Sequence, residues 1–153
     1  MGKIFFELEP VQNGGQNHFR ARLQISDALK ATPVGLSEKA AEIEHAYKNT
    51  IIECRELYRK VRASKRGERL YLYWDLADKI YHFLRHTDQV GFFLNYPDRH
   101  LARDLEVTSR TISYLLTFRK QIADKKQLDP AKPWSYYIQR SYRMRKRAKD
   151  YFT

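Results

Sequence analysis

The sequence is poor in the residues that usually betray a chemistry. It has a single cysteine, Cys54, which excludes an internal disulfide and a cysteine-built zinc cage. Its 6 glycines form no phosphate-cradling loop, and neither a Gly-x-Ser-x-Gly elbow nor a His-Glu-x-x-His pair occurs. Five histidines (His18, His45, His82, His86, His100) are scattered. Only His82 and His86 have the i, i+4 spacing of helical metal ligands, and no third ligand lies near them in sequence. No apolar run approaches the roughly 18 residues of a membrane span. The opening MGKIFFELEP carries glutamates where an export signal would continue its apolar region, so a cytoplasmic protein is expected. Carboxylates are few, 18 against 29 Lys and Arg, and lie along amphipathic helices instead of clustering as a metal-dependent nuclease needs. Catalysis, a cofactor, a metal and a small-molecule substrate are therefore not expected.

What remains is basic and aromatic. The net charge is +11, and 11 Tyr, 8 Phe and 2 Trp supply a real core for one domain of 153 residues. The basic surplus climbs along the chain. Residues 1–63 carry 10 basic and 8 acidic groups, whereas residues 129–153 carry 7 and 2. A polyanion is the partner such a gradient suits, and duplex DNA is the first candidate.

Alternation of Phe19, Ala21, Leu23 and Ile25 with Arg20, Arg22 and Gln24 predicts a half-buried strand. With KIFFELEP before it and Asn13-Gly14-Gly15 between, it predicts a β-hairpin arm over residues 1–30. Ser37 is placed to cap a helix reaching about Arg62. On that helix Ala40, Ile43, Tyr47, Thr50, Cys54, Leu57 and Val61 recur at steps of three and four, widened by Ile51 and Tyr58. A second helix is expected from about Glu68 to Thr87, with Leu70, Trp74, Ala77, Ile80, Tyr81 and Leu84 inward. GFFLNYP reads as a connector, and Pro133-Trp134 opens a basic C-terminal helix within 129–153.

Between them, in a helical domain spanning 36–128, lies the stretch with most to say about function. Over residues 98–119, Leu101, Ala102, Leu105, Val107, Ile112 and Leu115 occupy the packing positions of a helix-turn-helix. Asp98 is expected to cap the first helix and Thr108 or Ser109 the second. Glu106 stands where a glycine is common, because the backbone there often takes positive φ. Thr108, Ser109, Arg110, Ser113 and Tyr114 then face outward at the start of the second helix, the end that such helices present to base edges. Arg110 suits a bidentate contact to guanine. Arg99, Arg103, Arg119 and Lys120, with Arg140, Arg143, Lys146 and Arg147 on the basic tail, are the expected phosphate contacts. An interaction adaptor is the other reading, with Tyr114, Phe118, Trp134 and Tyr136 as its docking aromatics. Single-stranded nucleic acid stacked on such aromatics is a third.

The segments LYLYWDLADKIYHF, LARDLEVTSRTISYLLTFRK and PWSYYI, in that order, resemble the N-terminal domain of the YhcG-type bacterial proteins. The likeness runs over about residues 55–140, through Tyr73-Trp74, Leu76, Ile80, Leu101, Asp104-Leu105, Ser109, Leu115, Phe118 and Trp134-Ser135. It implies a helical domain with a helix-turn-helix-like core, often joined to a nuclease half that has no counterpart here. Ala77 replaces the glycine usual in that family, and the turn before Ser109 is shorter than its pattern. LEVTSRTIS also looks like the recognition unit of many small bacterial repressors. The reading is a mainly α protein, a helical domain containing a helix-turn-helix with an N-terminal β-hairpin. It is expected to act as a homodimer on double-stranded DNA, in transcription regulation or as a plasmid or mobile-element accessory factor.

Overall fold

Alternating side chains at the N-terminus do build two strands, and a third joins them from the middle of the chain. The computed structural model describes residues 4–11, 18–24 and 35–137. Strand β1 (Ile4–Pro10) buries Ile4, Phe6 and Leu8 and turns Phe5, Glu7 and Glu9 outward. Strand β2 (Phe19–Gln24) pairs with it antiparallel, Pro10 opposite Phe19 and Phe5 opposite Gln24. The expected connector GFFLNYP supplies β3 (Phe92–Leu94), parallel to β1 with Ile4 opposite Phe92, and the sheet order is β2-β1-β3. An isolated two-stranded ribbon is marginal in water. Here a third strand on one side and helices over one face remove that weakness. The hairpin is consequently no arm: Phe6, Leu8 and Phe19 belong to the same core as the helices. The reversing loop at Asn13-Gly14-Gly15 and the position of Ile25 lie outside the described residues.

The free edge of β2 is also covered. The Ala21 N–H donates to Glu44 Oε1 at 2.8 Å, from the helix that packs beside it. An outward-pointing strand amide thus finds an acceptor within the chain.

That helix, α1 (Leu36–Ala63), buries Ile43, Tyr47, Cys54 and Val61 of the expected seven-residue repeat together with Ile51, while Ala40, Thr50 and Leu57 are half-buried. Its cap is Gly35, held at φ 82°, and Ser37 lies exposed inside the first turn. Left-handed backbone costs glycine nothing, so a hydroxyl cap is dispensable there. Burial pushes the Cys54 thiol up to about 12, leaving it a small apolar filler. Tyr47 sits at the centre, edge-on to both Phe19 and Phe83.

Helix α2 (Arg66–Gln89) is longer than expected and buried on more sides. Leu76, Phe83 and Thr87 join Leu70, Ala77 and Ile80 inside, whereas Trp74, Tyr81 and Leu84 are half-buried. The cause is its position: α2 packs on α1, on β3 and on a later helix, so no single stripe can describe its interior. His82 contacts Asp78 at 3.1 Å and His86 is exposed. Among the described residues no group of three potential metal ligands exists, and no helix is long and apolar enough to cross a membrane.

Two short helices follow, α3 (Pro97–Leu105) and α4 (Ser109–Gln121). Beyond them the chain folds back onto α2. The Trp74 indole donates to the Ile122 carbonyl at 2.9 Å, and Lys125 meets the Asp75 carboxylate at 2.9 Å. Residues 134–137 are helical. Trp134 stacks on Tyr73 with centroids 4.6 Å apart and meets Phe118 edge-on. The rest of the expected C-terminal helix lies outside the described residues.

Candidate nucleic-acid interface

The placement of α3 depends on an acid. Asp104 shares the packing face of Leu101 and Leu105 and is itself buried. A buried carboxylate is costly unless every lone pair finds a donor. Arg103 Nε and Nη2 donate to its two oxygens, both at 2.9 Å, and the Tyr47 hydroxyl donates to Oδ2 as well. The same Arg103 reaches the Leu8 carbonyl at 2.8 Å. Arg55 of α1 closes the arrangement, donating twice to the Asp104 carbonyl at 3.0 and 2.7 Å. Two neighbouring residues therefore tie α3 down, Asp104 to α1 and Arg103 to the sheet. Burial, then the adjacent carboxylate, drives the Tyr47 phenol well above its ordinary range, so it is a hydrogen-bond donor at any working pH. The Asp104 hydrogen bonds hold the Arg103 guanidinium above its ordinary value.

Helix α3 does not begin on an Asp98 cap. Its N-cap is Tyr96 at φ 50°, Pro97 takes the first helical position, and Asp98 follows in the first turn. Proline is pre-set for that place, and a carboxylate there meets the positive end of the helix dipole. The helix ends at Glu106, whose φ of 57° and ψ of 44° are the left-handed conformation anticipated for that position. Val107 N–H donates to the Ala102 carbonyl at 3.0 Å, and Val107 packs half-buried against the core. Thr108 then caps α4, its Oγ1 accepting the Thr111 N–H at 3.1 Å.

Helix α4 is two-sided. Ile112, Leu115, Thr117 and Phe118 are buried. On the other side Arg110 is exposed, its Nε donating to the Tyr114 hydroxyl at 2.6 Å and its guanidinium lying 5.5 Å from that ring's centroid. Thr108 is exposed, while Ser109, Ser113 and Tyr114 are half-buried. The five expected base-reading residues thus share one helix start, with the Thr108 hydroxyl engaged in the cap.

The expected phosphate contacts do not share one fate. Arg99 is exposed over the Tyr96 ring, 4.7 Å from its centroid, and Lys120 is exposed. Arg103 bonds Asp104 and Leu8 while its side chain stays 40% exposed. Arg119 is removed from that set. Its side chain is 12% exposed, pairs with Asp78 at 2.8 Å, and lies over Trp74 and Tyr81 at 5.0 and 4.5 Å. The cause is that a neighbouring carboxylate and two aromatic faces hold the Arg119 guanidinium where little water reaches it. Arg140, Arg143, Lys146 and Arg147 lie outside the described residues.

The aromatics offered for protein docking do not form a surface patch, since Phe118 is 1% exposed and Trp134 covers it. The Asp104 network escaped the sequence reading, although an acid on the same helical face as Leu101 and Leu105 is a signal for it. No family model, curated protein or solved structure matches the chain.

Proposed function

We propose that the chain is a sequence-specific double-stranded DNA-binding protein, in which α3, the Glu106-Val107-Thr108 turn and α4 act as a helix-turn-helix. The observation that carries this reading is the two-sidedness of α4, anchored by Ile112, Leu115 and Phe118 with Arg110 exposed in its first turn. In the groove Arg110 exchanges its bond to Tyr114 for guanine O6 and N7. Ser109 and Ser113 bond phosphate or base edges, Tyr114 packs beside them, and Arg99 and Lys120 set the register from the backbone. Arg140, Arg143, Lys146 and Arg147 extend the phosphate contacts along the tail.

The protein is a binder and not an enzyme on this reading, working in the cytoplasm as a transcription regulator or a plasmid or mobile-element accessory factor. The resemblance to the YhcG-type domain fits that role. It acts as a homodimer, since one helix-turn-helix reads few base pairs alone. The α1 stripe is consumed in the protomer's own core, so the second copy docks elsewhere.

The test is selection of a preferred duplex from a random pool, followed by titration of that duplex and a scrambled one. Arg110→Ala should cost about 1–3 kcal/mol on the selected duplex and little on the scrambled one. Equal weakening on both, or none, sinks base reading by α4.

A further inference from the structure

A cleft of about 500 Å³ lies between the hairpin, the C-terminal half of α1 and the Glu106 turn. Arg55, Arg59 and Arg62 line its α1 wall, and steps of four and three place them on one helical face. Arg55 is fixed by its two bonds to the Asp104 carbonyl. Arg62 lies over the Tyr58 ring at 4.9 Å. Arg59 pairs with Glu56 at 3.3 Å, both side chains more than half exposed, and such a pair yields readily to a stronger anion. Two carboxylates also line the cleft. Asp104 has both oxygens bonded by Arg103 and Tyr47, which leaves Glu106, with Glu56 on Arg59, to oppose three guanidiniums.

We infer that this cleft takes a phosphate of the DNA backbone next to the base pairs read by α4, extending the interface across the turn onto α1. The inference rests on the duplex reading above. Glu106 at the cleft is two residues before Thr108, a span of at most about 7 Å, and each DNA strand offers a phosphate about every 3.4 Å along the axis. A strand passing the start of α4 therefore comes within reach of the Glu106 rim of the cleft. Small-molecule pockets carry few charged groups, whereas the α1 wall here carries three arginines beside Tyr58, facing Pro10, Val11, Phe19 and Leu105.

The experiment uses the full chain carrying Arg59→Gln with Arg62→Gln, titrated against selected and scrambled duplexes over a series of salt concentrations. Affinity for both duplexes should fall by the same factor, about tenfold, and the salt slope should shrink by about 1 to 2. Melting should be unchanged, because both side chains are exposed. An unchanged slope, with Arg110→Ala still abolishing preference for the selected duplex, overturns the cleft while leaving the duplex reading intact. Wild-type protein that binds no duplex at low salt removes both. Inorganic phosphate saturating the wild type but not the double variant, with no change in duplex slope, assigns the cleft to a free anion and overturns the inference as well.

Discussion

Arg110 and Arg119 stand on the same helix, one in the first turn of α4 and one in the last. Arg110 has a tyrosine for company and open solvent beyond it. Arg119 has a carboxylate and two aromatic faces, and almost no solvent. Sequence assigns them equal charge and similar helical surroundings. The fold makes one available to a ligand and uses the other to fasten α4 to α2. Counting basic residues measures supply. Whether a charge can reach a partner depends on acids and rings contributed by other segments. Segment totals therefore misdirect attention: residues 1–63 look nearly balanced, yet they contribute the three guanidiniums that line one cleft.

The contrast can be attacked from its structural side first. Asp104→Ala should have the largest effect, a loss of about 3 kcal/mol, since it strands the buried Tyr47 hydroxyl while the Arg103 guanidinium, 40% exposed, turns to water. Urea unfolding would measure it as a lower midpoint at constant m. A loss below about 1 kcal/mol would mean that Asp104 does not hold α3 in place. Next comes Arg119→Ala, with an expected loss of about 2 kcal/mol from the ion pair and two ring contacts, and with duplex affinity and salt slope unaltered while the protein stays folded. Weakened duplex binding with normal stability would restore Arg119 to the phosphate contacts and erase the distinction between the two turns. The smallest effect is a gain. Glu106→Gly relieves a left-handed non-glycine residue and should stabilise the fold by about 1 kcal/mol, raising the melting temperature by about 2–4 °C. Destabilisation would mean that the turn is not left-handed.

Much of this arrangement was legible locally. Period-two alternation in β2, the buried stripe of α1, the six packing positions around the Glu106 turn and the left-handed backbone at Glu106 all follow from neighbours close in sequence. Failures arose where distant segments decide. Three residues, Phe92–Leu94, are too short to show a period, and β1, their partner, belongs to the chain's first residues. Helix α2 packs on several sides, so a one-stripe reading misassigned Leu76 and Phe83. Arg119 looks like a surface base until Asp78, Trp74 and Tyr81 are placed beside it, and the tie from Arg103 to Leu8 spans 95 residues. Ser37 and Asp98 were read as caps because their side chains can cap, but neighbouring Gly35 and Pro97 already solve those helix starts through backbone geometry.

The single guanidinium joining Leu8 to Asp104 has a consequence for the order in which the molecule comes into being. Strand β1 pairs with the nearby β2, but its parallel partner β3 and the guanidinium that bonds its Leu8 carbonyl come from residues far along the chain. Both contacts close long loops, and such closure is slow. The sheet of this domain is therefore completed only after α1 and α2 have been made.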